Sequence, residues 1–299
     1  MKLNRSRITA SLLAMAVAGV LAVVLPASTA SAADCATPWN SSTAYWGGTT
    51  VSHSGHNWSA KWWTQNEIPS TGGSGVWADQ GTCGGSTPTD PNPSGFVVSE
   101  AMFNQMFPSR NSFYTYSGLT AALSSYPAFA NTGSDTVRKR EAAAFLANVN
   151  HETGGLVHIV EQNTDNYPHY CDASQPYGCP AGQAAYYGRG PIQLSWNFNY
   201  KAAGDALGLN LLHNPYLVQN DAAVAWRTAL WYWNTQSGPG TMTGHHAMVN
   251  GHGFGQTIRS INGALECDGR NPGQVQSRVD AYQRFTQIVG TTAGDNLYC

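Results

Sequence analysis

Charge is scarce in this chain: Lys, Arg, Asp and Glu together supply only 11% of 299 residues. Three of the basic residues, Lys2, Arg5 and Arg7, precede an apolar run over 8–25 and the small-residue string STASAA. That order is the pattern of a secretory signal, so residues 1–33 are expected to be removed. Removal takes away three of fifteen basic residues and none of the seventeen acidic ones, leaving a net charge of about −5 with His neutral. Such a balance excludes nucleic acid as a natural partner. A second long hydrophobic run is also missing, so no membrane contact is expected after the signal is gone. The mature chain therefore reads as a secreted, extracellular monomer. No Cys-x-x-Cys occurs, and in His151-Glu152 the second histidine of a zinc-peptidase motif is missing, because Gly155 stands in its place. The histidines of HHAMVNGHGFG (His245, His246, His252) read as a mobile loop, since a metal needs fixed ligand geometry. No metal or cofactor is expected. What remains is rich in Trp, Tyr, Asn, Gln, Ser and Thr, side chains that suit a neutral, hydroxyl-rich ligand: aromatic faces stack on sugar rings, and amides bond their hydroxyls.

The six cysteines all follow the signal, an even number in an oxidising compartment, which favours three disulfides. The pairing is open from sequence alone. Nearest-neighbour order joins Cys35 to Cys83, Cys171 to Cys179 and Cys267 to Cys299.

Residues 137–161, VRKREAAAFLANVNHETGGLVHIVE, hold two carboxylates in contrasting settings. Ala142, Phe145, Leu146 and Val149 recur at the spacing of a helix with one buried face, and Glu152 continues that stripe just before Gly154 and Gly155 stop it. Burial and the negative end of the helix dipole both disfavour a charged Glu152, which suits a general acid. Nine residues later, beyond an apolar run over 156–160 that reads as a short strand, Glu161 is followed by Gln162, Asn163, Thr164, Asp165 and Asn166. This polar setting favours an ionised base. Two such carboxyl groups are what glycoside hydrolysis uses, although the spacing alone carries no unique geometry.

Residues 34–83 carry seven aromatic groups: Trp39, Tyr45, Trp46, Trp58, Trp62, Trp63 and Trp77. Short segments between Gly and Pro turns read as a small antiparallel sheet, stapled by one disulfide because so small a core is insufficient alone. Adjacent Trp62 and Trp63 on a strand face opposite ways, which predicts one inside and one outside. Residues 84–95, GGSTPTDPNPSG, read as a linker that keeps a second domain near whatever the first one holds. From 96 to 299 helical patterns recur at 99–107, 115–126, 136–152, 221–234 and 273–289, predicting a mainly helical domain with a cleft. In YYGRGPIQLSWNFNY, Gln193, Ser195, Asn197 and Asn199 alternate with apolar groups, as on a strand with one polar side lining a groove.

The string CATPWNSSTAYWGGTTVSHSGHNWSAKWWTQNEIP, followed by Trp77, resembles the chitin-binding modules of carbohydrate-binding families 5 and 12. The resemblance implies that Tyr45, Trp62, Trp63 and Trp77 stack on the polymer; His53 and Trp58 stand where that family often has Tyr. HETGG at 151–155, Glu161, YYGRGPIQLSWNFNY and INGALEC at 261–267 together resemble the glycoside hydrolase family 19 chitinases in their compact bacterial form. That resemblance implies a lysozyme-like, mainly α-helical fold and inverting, endo-acting hydrolysis of chitin or chitooligosaccharide. It makes Glu152 the acid, Glu161 the base and Ser195 the holder of the attacking water. Tyr187, Gln193, Asn199 and Asn262 match substrate-binding positions. Glu266 and Arg278, counted with that set, match a charged pair that orients the acid. Phe198 departs from plant relatives, which have Tyr there, and the loops around 171–179 and 241–255 are short, implying fewer outer sugar subsites. A peptidoglycan muramidase on the same fold and a non-catalytic, antifungal chitin-binding protein are the rival readings.

Overall fold

The computed structural model describes residues 33, 35–70, 74–83 and 95–299. The expected signal, except Ala33, and the expected linker, except Gly95, lie outside the described residues. No described helix is long and apolar enough to cross a membrane.

The front domain holds two small antiparallel sheets, β1 (Ala44–Tyr45) with β4 (Thr64–Gln65), and β2 (Thr50–His53), β3 (His56–Ala60) and β5 (Trp77–Thr82) in the order β2-β3-β5. Val51, Trp58, Ala60, Val76, Tyr45 and Trp77 form its core. The Cys35–Cys83 disulfide staples the first residues to the end of β5.

The large domain is helical: α1 (Glu100–Met106), α2 (Tyr116–Ala122), α3 (Asp135–Thr153), α4 (Asn197–Leu207), α5 (Leu217–Asn220), α6 (Ala222–Thr235), α7 (Gly244–Val249), α8 (Phe254–Glu266) and α9 (Pro272–Ile288). Starts follow capping chemistry. Ser99, Thr115, Ser134, Asp221 and Asn271 each accept a hydrogen bond from a backbone N–H of the first turn. The axle is α3. Rather than one buried face, it is enclosed on all sides from Glu141 to Val149, because four alanines let its neighbours close in around Phe145 and Leu146. Phe145 meets Phe129, Trp226 and Trp233 at ring distances of 5.1, 6.2 and 5.4 Å.

Three sequence expectations give way here. Residues 156–160 form no strand; only an isolated bridge joins Val160 to Arg189, because the segment has no partner strand to extend it. The alternation from Gln193 to Asn199 is not a strand either: α4 begins at Asn197, whose fully buried amide bonds Asp172 and Gly178 inside the loop closed by Cys171–Cys179. HHAMVNGHGFG is not a simple loop, since α7 occupies Gly244–Val249. Gly244 permits this, as a Cβ there would sit 2.6 Å from the Trp233 ring. The third disulfide joins Cys267 to Cys299.

Candidate active site

Glu152 occupies the last turn of α3, where Gly154, at φ 60°, accepts the left-handed cap that side chains resist. Glu161 begins the loop beyond. The two carboxyl groups share one cleft of about 560 Å³, lined also by Gln193, Ser195, Asn199 and Asn262, with His158, Tyr170, Trp196, Tyr232, Ile261 and Leu265 completing its walls.

The wall beneath Glu152 is a buried charge network. Arg278, from α9, donates through Nη2 to Glu152 and to Glu266 (2.7 Å), through Nε to Glu266 (2.7 Å) and through Nη1 to Asn148 (3.1 Å). Glu266 also accepts from the Asn262 amide at 2.7 Å, at the point where α8 breaks its helical conformation (Asn262 φ −142°). Burial alone would raise the Glu266 carboxyl, but the Arg278 hydrogen bonds and charge outweigh it and hold the group below the usual range. Burial, reinforced by Arg278, depresses His151, so this imidazole beside the acid favours its neutral form. Glu266 and Arg278 are buried and do not line the cleft. They hold Glu152 rather than a ligand, which corrects their place in the substrate-binding set.

The opposite wall is made of loops. Glu161 Oε1 accepts from Asn166 Nδ2 at 2.8 Å and Tyr170 Oη at 3.0 Å, and Gly188 N approaches Oε2 at 3.4 Å. Burial and the hydrogen bond to Glu161 push the Tyr170 hydroxyl up to about 12, so it remains a donor. Residues 186–196 fold back on themselves: Arg189 and Leu194 exchange backbone hydrogen bonds, and Trp196 N donates to Tyr186 O. Gln193 and Trp196 take positive φ values of 51° and 74°, a conformation costly for non-glycine residues that places Gln193, Ser195 and Trp196 at the cleft. Tyr187 is not in the cleft. One ring face is covered by Tyr167 at 3.6 Å and the other by the Arg189 guanidinium at 3.5 Å, and its hydroxyl meets Gln219. Asn166 belongs to the polar run expected around Glu161, whereas Tyr167 and Tyr170 went unrecognised in the sequence, where their only signal is closeness to Glu161.

On the front domain, Trp62 and Trp63 are both exposed, 53% and 50%, because β3 ends at Ala60 and strand alternation no longer applies. Tyr45 and Trp77 are core instead, 7% and 5% exposed, packed edge to face at 5.7 Å. The exposed aromatic that sequence reasoning missed is Trp46, at 70%; Gly47, next to it, abuts Lys61 and Trp62. His53 turns to the large domain, its Nε2 2.9 Å from Asp221 Oδ2. Among the described residues no three His, Cys, Asp or Glu side chains converge as a metal site.

The model of the class I chitinase family, glycoside hydrolase family 19, matches residues 97–299, and that of carbohydrate-binding module family 5/12 matches residues 38–78. Endochitinase A of Zea mays is 45% identical over 210 residues, which span 68% of this chain and 71% of that protein. The solved structure of chitinase C from Streptomyces griseus HUT6037 is 71% identical, covering 89% of this chain and 100% of its own, with a TM-score of 0.68. That of another bacterial family 19 chitinase is 81% identical over 68% of this chain and 100% of its own, also with a TM-score of 0.68. The chain thus belongs to the glycoside hydrolase family 19 chitinases and carries a family 5/12 carbohydrate-binding module at its N-terminal side.

Proposed function

We propose that the protein is a secreted endo-chitinase that cleaves β-1,4 bonds between N-acetylglucosamine units by single displacement. Glu152, protonated, delivers its proton to the glycosidic oxygen as that bond breaks. A water held by Ser195 attacks the anomeric carbon from the opposite face, and Glu161 takes the proton that the water loses. One C–O bond forms, one breaks, and the anomeric configuration inverts. This needs a carboxyl separation of about 6.5–9.5 Å, room for the water between base and sugar. Gln193, Asn199 and Asn262 bond the sugar, and no cofactor takes part.

Arg278 holds the Glu152 carboxyl in place, and Glu266, fully buried, is the counter-ion beside which this buried guanidinium sits. On the front domain Trp62, Trp63 and Trp46 hold the polymer, which raises substrate concentration at the cleft.

The observation that carries this reading is that Glu152, Glu161 and Ser195 line one cavity. The test is NMR of the products formed from chitohexaose. New α-anomeric ends and silent Glu152→Gln and Glu161→Gln variants are expected. β-anomeric products, or lysis of bacterial walls with no release from chitin, would overturn it.

A further inference from the structure

The loop that carries the hydrogen-bond donors to Glu161 has little of its own to hold it. Thr164–Tyr170 form a single 3₁₀ helix, and most side chains of 162–170 are exposed. Gln183 Nε2 donates to Pro168 O at 2.9 Å and the Tyr170 ring meets Trp196 edge on at 5.6 Å, but the closest-packed attachment to the domain is a stack of rings. Tyr167 lies parallel to Tyr187, centroids 3.6 Å apart at 10°. The Arg189 guanidinium covers the other face of Tyr187 at 3.5 Å and reaches the Tyr216 ring at 4.9 Å. Arg189 is fully buried and has no carboxylate partner among the described residues. Its Nε donates to Gln219 at 2.6 Å, its Nη1 to Ala185 O and Tyr200 Oη, and its Nη2 bonds nothing. A buried cation without a counter-ion is costly, and the tyrosine faces are what compensate it here. The stack is therefore tightly set, and Tyr167 Oη adds a bond to Glu161 O at 2.9 Å.

We propose, on the reading of Glu161 as the base, that the Tyr167–Tyr187–Arg189 stack is a positioning element of the reaction: by fixing residues 162–170 it keeps the Asn166 amide and the Tyr170 hydroxyl on the Glu161 carboxylate. Both donors sit near Tyr167 on the same short helix, one residue before it and three after, so release of that ring loosens both. Without them the carboxylate loses two hydrogen bonds and its fixed direction, which slows proton removal from the water without emptying the sugar-binding positions. The titratable groups around Glu161 are Tyr167, Tyr170, Tyr200 and Arg189 on its own wall and Glu152, His158 and Tyr232 across the cleft.

The experiment compares Tyr167→Leu with Tyr167→Phe, which keeps the stack and loses only the hydroxyl. Tyr167 lies on the surface loop, away from the domain core, so both variants should fold, and circular dichroism checks this. For Tyr167→Leu we expect kcat on chitohexaose to fall about tenfold or more and KM to change less than about threefold. Tyr167→Phe should restore most of kcat. Wild-type kinetics for Tyr167→Leu, equal losses in the two variants, or a loss confined to KM would each overturn the proposal. A Glu161→Gln control separates the two levels: if it retains hydrolysis, the base assignment fails, whereas a silent Glu161→Gln beside a normal Tyr167→Leu sinks only the stack.

Discussion

Replacing His245 by alanine removes one of three donors to a carboxylate that no water reaches. Glu141, at the middle of α3, is fully buried and accepts from Ala130 N at 2.9 Å, Trp233 Nε1 at 3.0 Å and His245 Nδ1 at 2.7 Å. Only His245 can bring a charge, and its side chain is 23% exposed. The bond to Glu141 raises His245 above 6.5, against the opposing effect of burial. A group raised on folding stabilises fully below its unfolded value and loses that contribution as pH rises through the folded one. A charge-assisted hydrogen bond of this kind contributes about 1.5–3 kcal/mol. At about 2–4 °C per kcal/mol for a domain of this size, His245→Ala should lower Tm by about 3–12 °C at about pH 5.5. At about pH 9 the imidazole is neutral and the deficit should shrink to less than half. Calorimetry of both proteins at the two pH values measures it, with the exposed neighbour His246→Ala as the control expected to change nothing. Equal deficits at both pH values, or none at the lower one, would refute the charged pair.

Four further outcomes are expected. Glu266→Gln leaves Arg278 buried beside one carboxylate fewer, so stability should fall by about 3 kcal/mol or more in thermal melts and kcat should drop while chitohexaose KM holds. Trp62→Ala and Trp63→Ala should each weaken binding to insoluble chitin by about 2 kcal/mol, roughly 30-fold, with Trp46→Ala next, in a pull-down isotherm. Trp77→Ala should instead unfold the module, seen as loss of its tertiary circular dichroism, because its ring is core. Removing residues up to 95 should reduce release from insoluble chitin far more than from soluble oligomers; equal loss on both substrates would contradict the tether.

Glu152 was legible because a helix ended by two glycines is a local signal; the one-sided stripe through Phe145 and Val149 was not its cause, since α3 is buried all round, and the carboxylate reaches the cleft from the helix's last turn. The patterns for α1, α2, α3, α6 and α9 were legible in the sequence, whereas α4, α5, α7 and the 13-residue α8 went unrecognised there. α4 starts after a positive φ at Trp196, α7 depends on a glycine seated on Trp233, and α8 breaks its helical conformation at Asn262. The fates of Tyr45 and Trp46 were equally hidden. Neighbours in sequence and alike in chemistry, they are sorted inside and outside by a two-residue strand and by the edge-on contact of Tyr45 with Trp77. Glu266 and Arg278 came only through family likeness, because charged side chains twelve residues apart announce no meeting unless the turn between α8 and α9 is known.

The two carboxylates live in unlike housings. One is bolted to three helices through a guanidinium, while the other leans on loops and a pile of tyrosines. Warming should therefore disarm the second first, and catalysis should fade at temperatures where the helical frame, by every spectroscopic measure, is still whole.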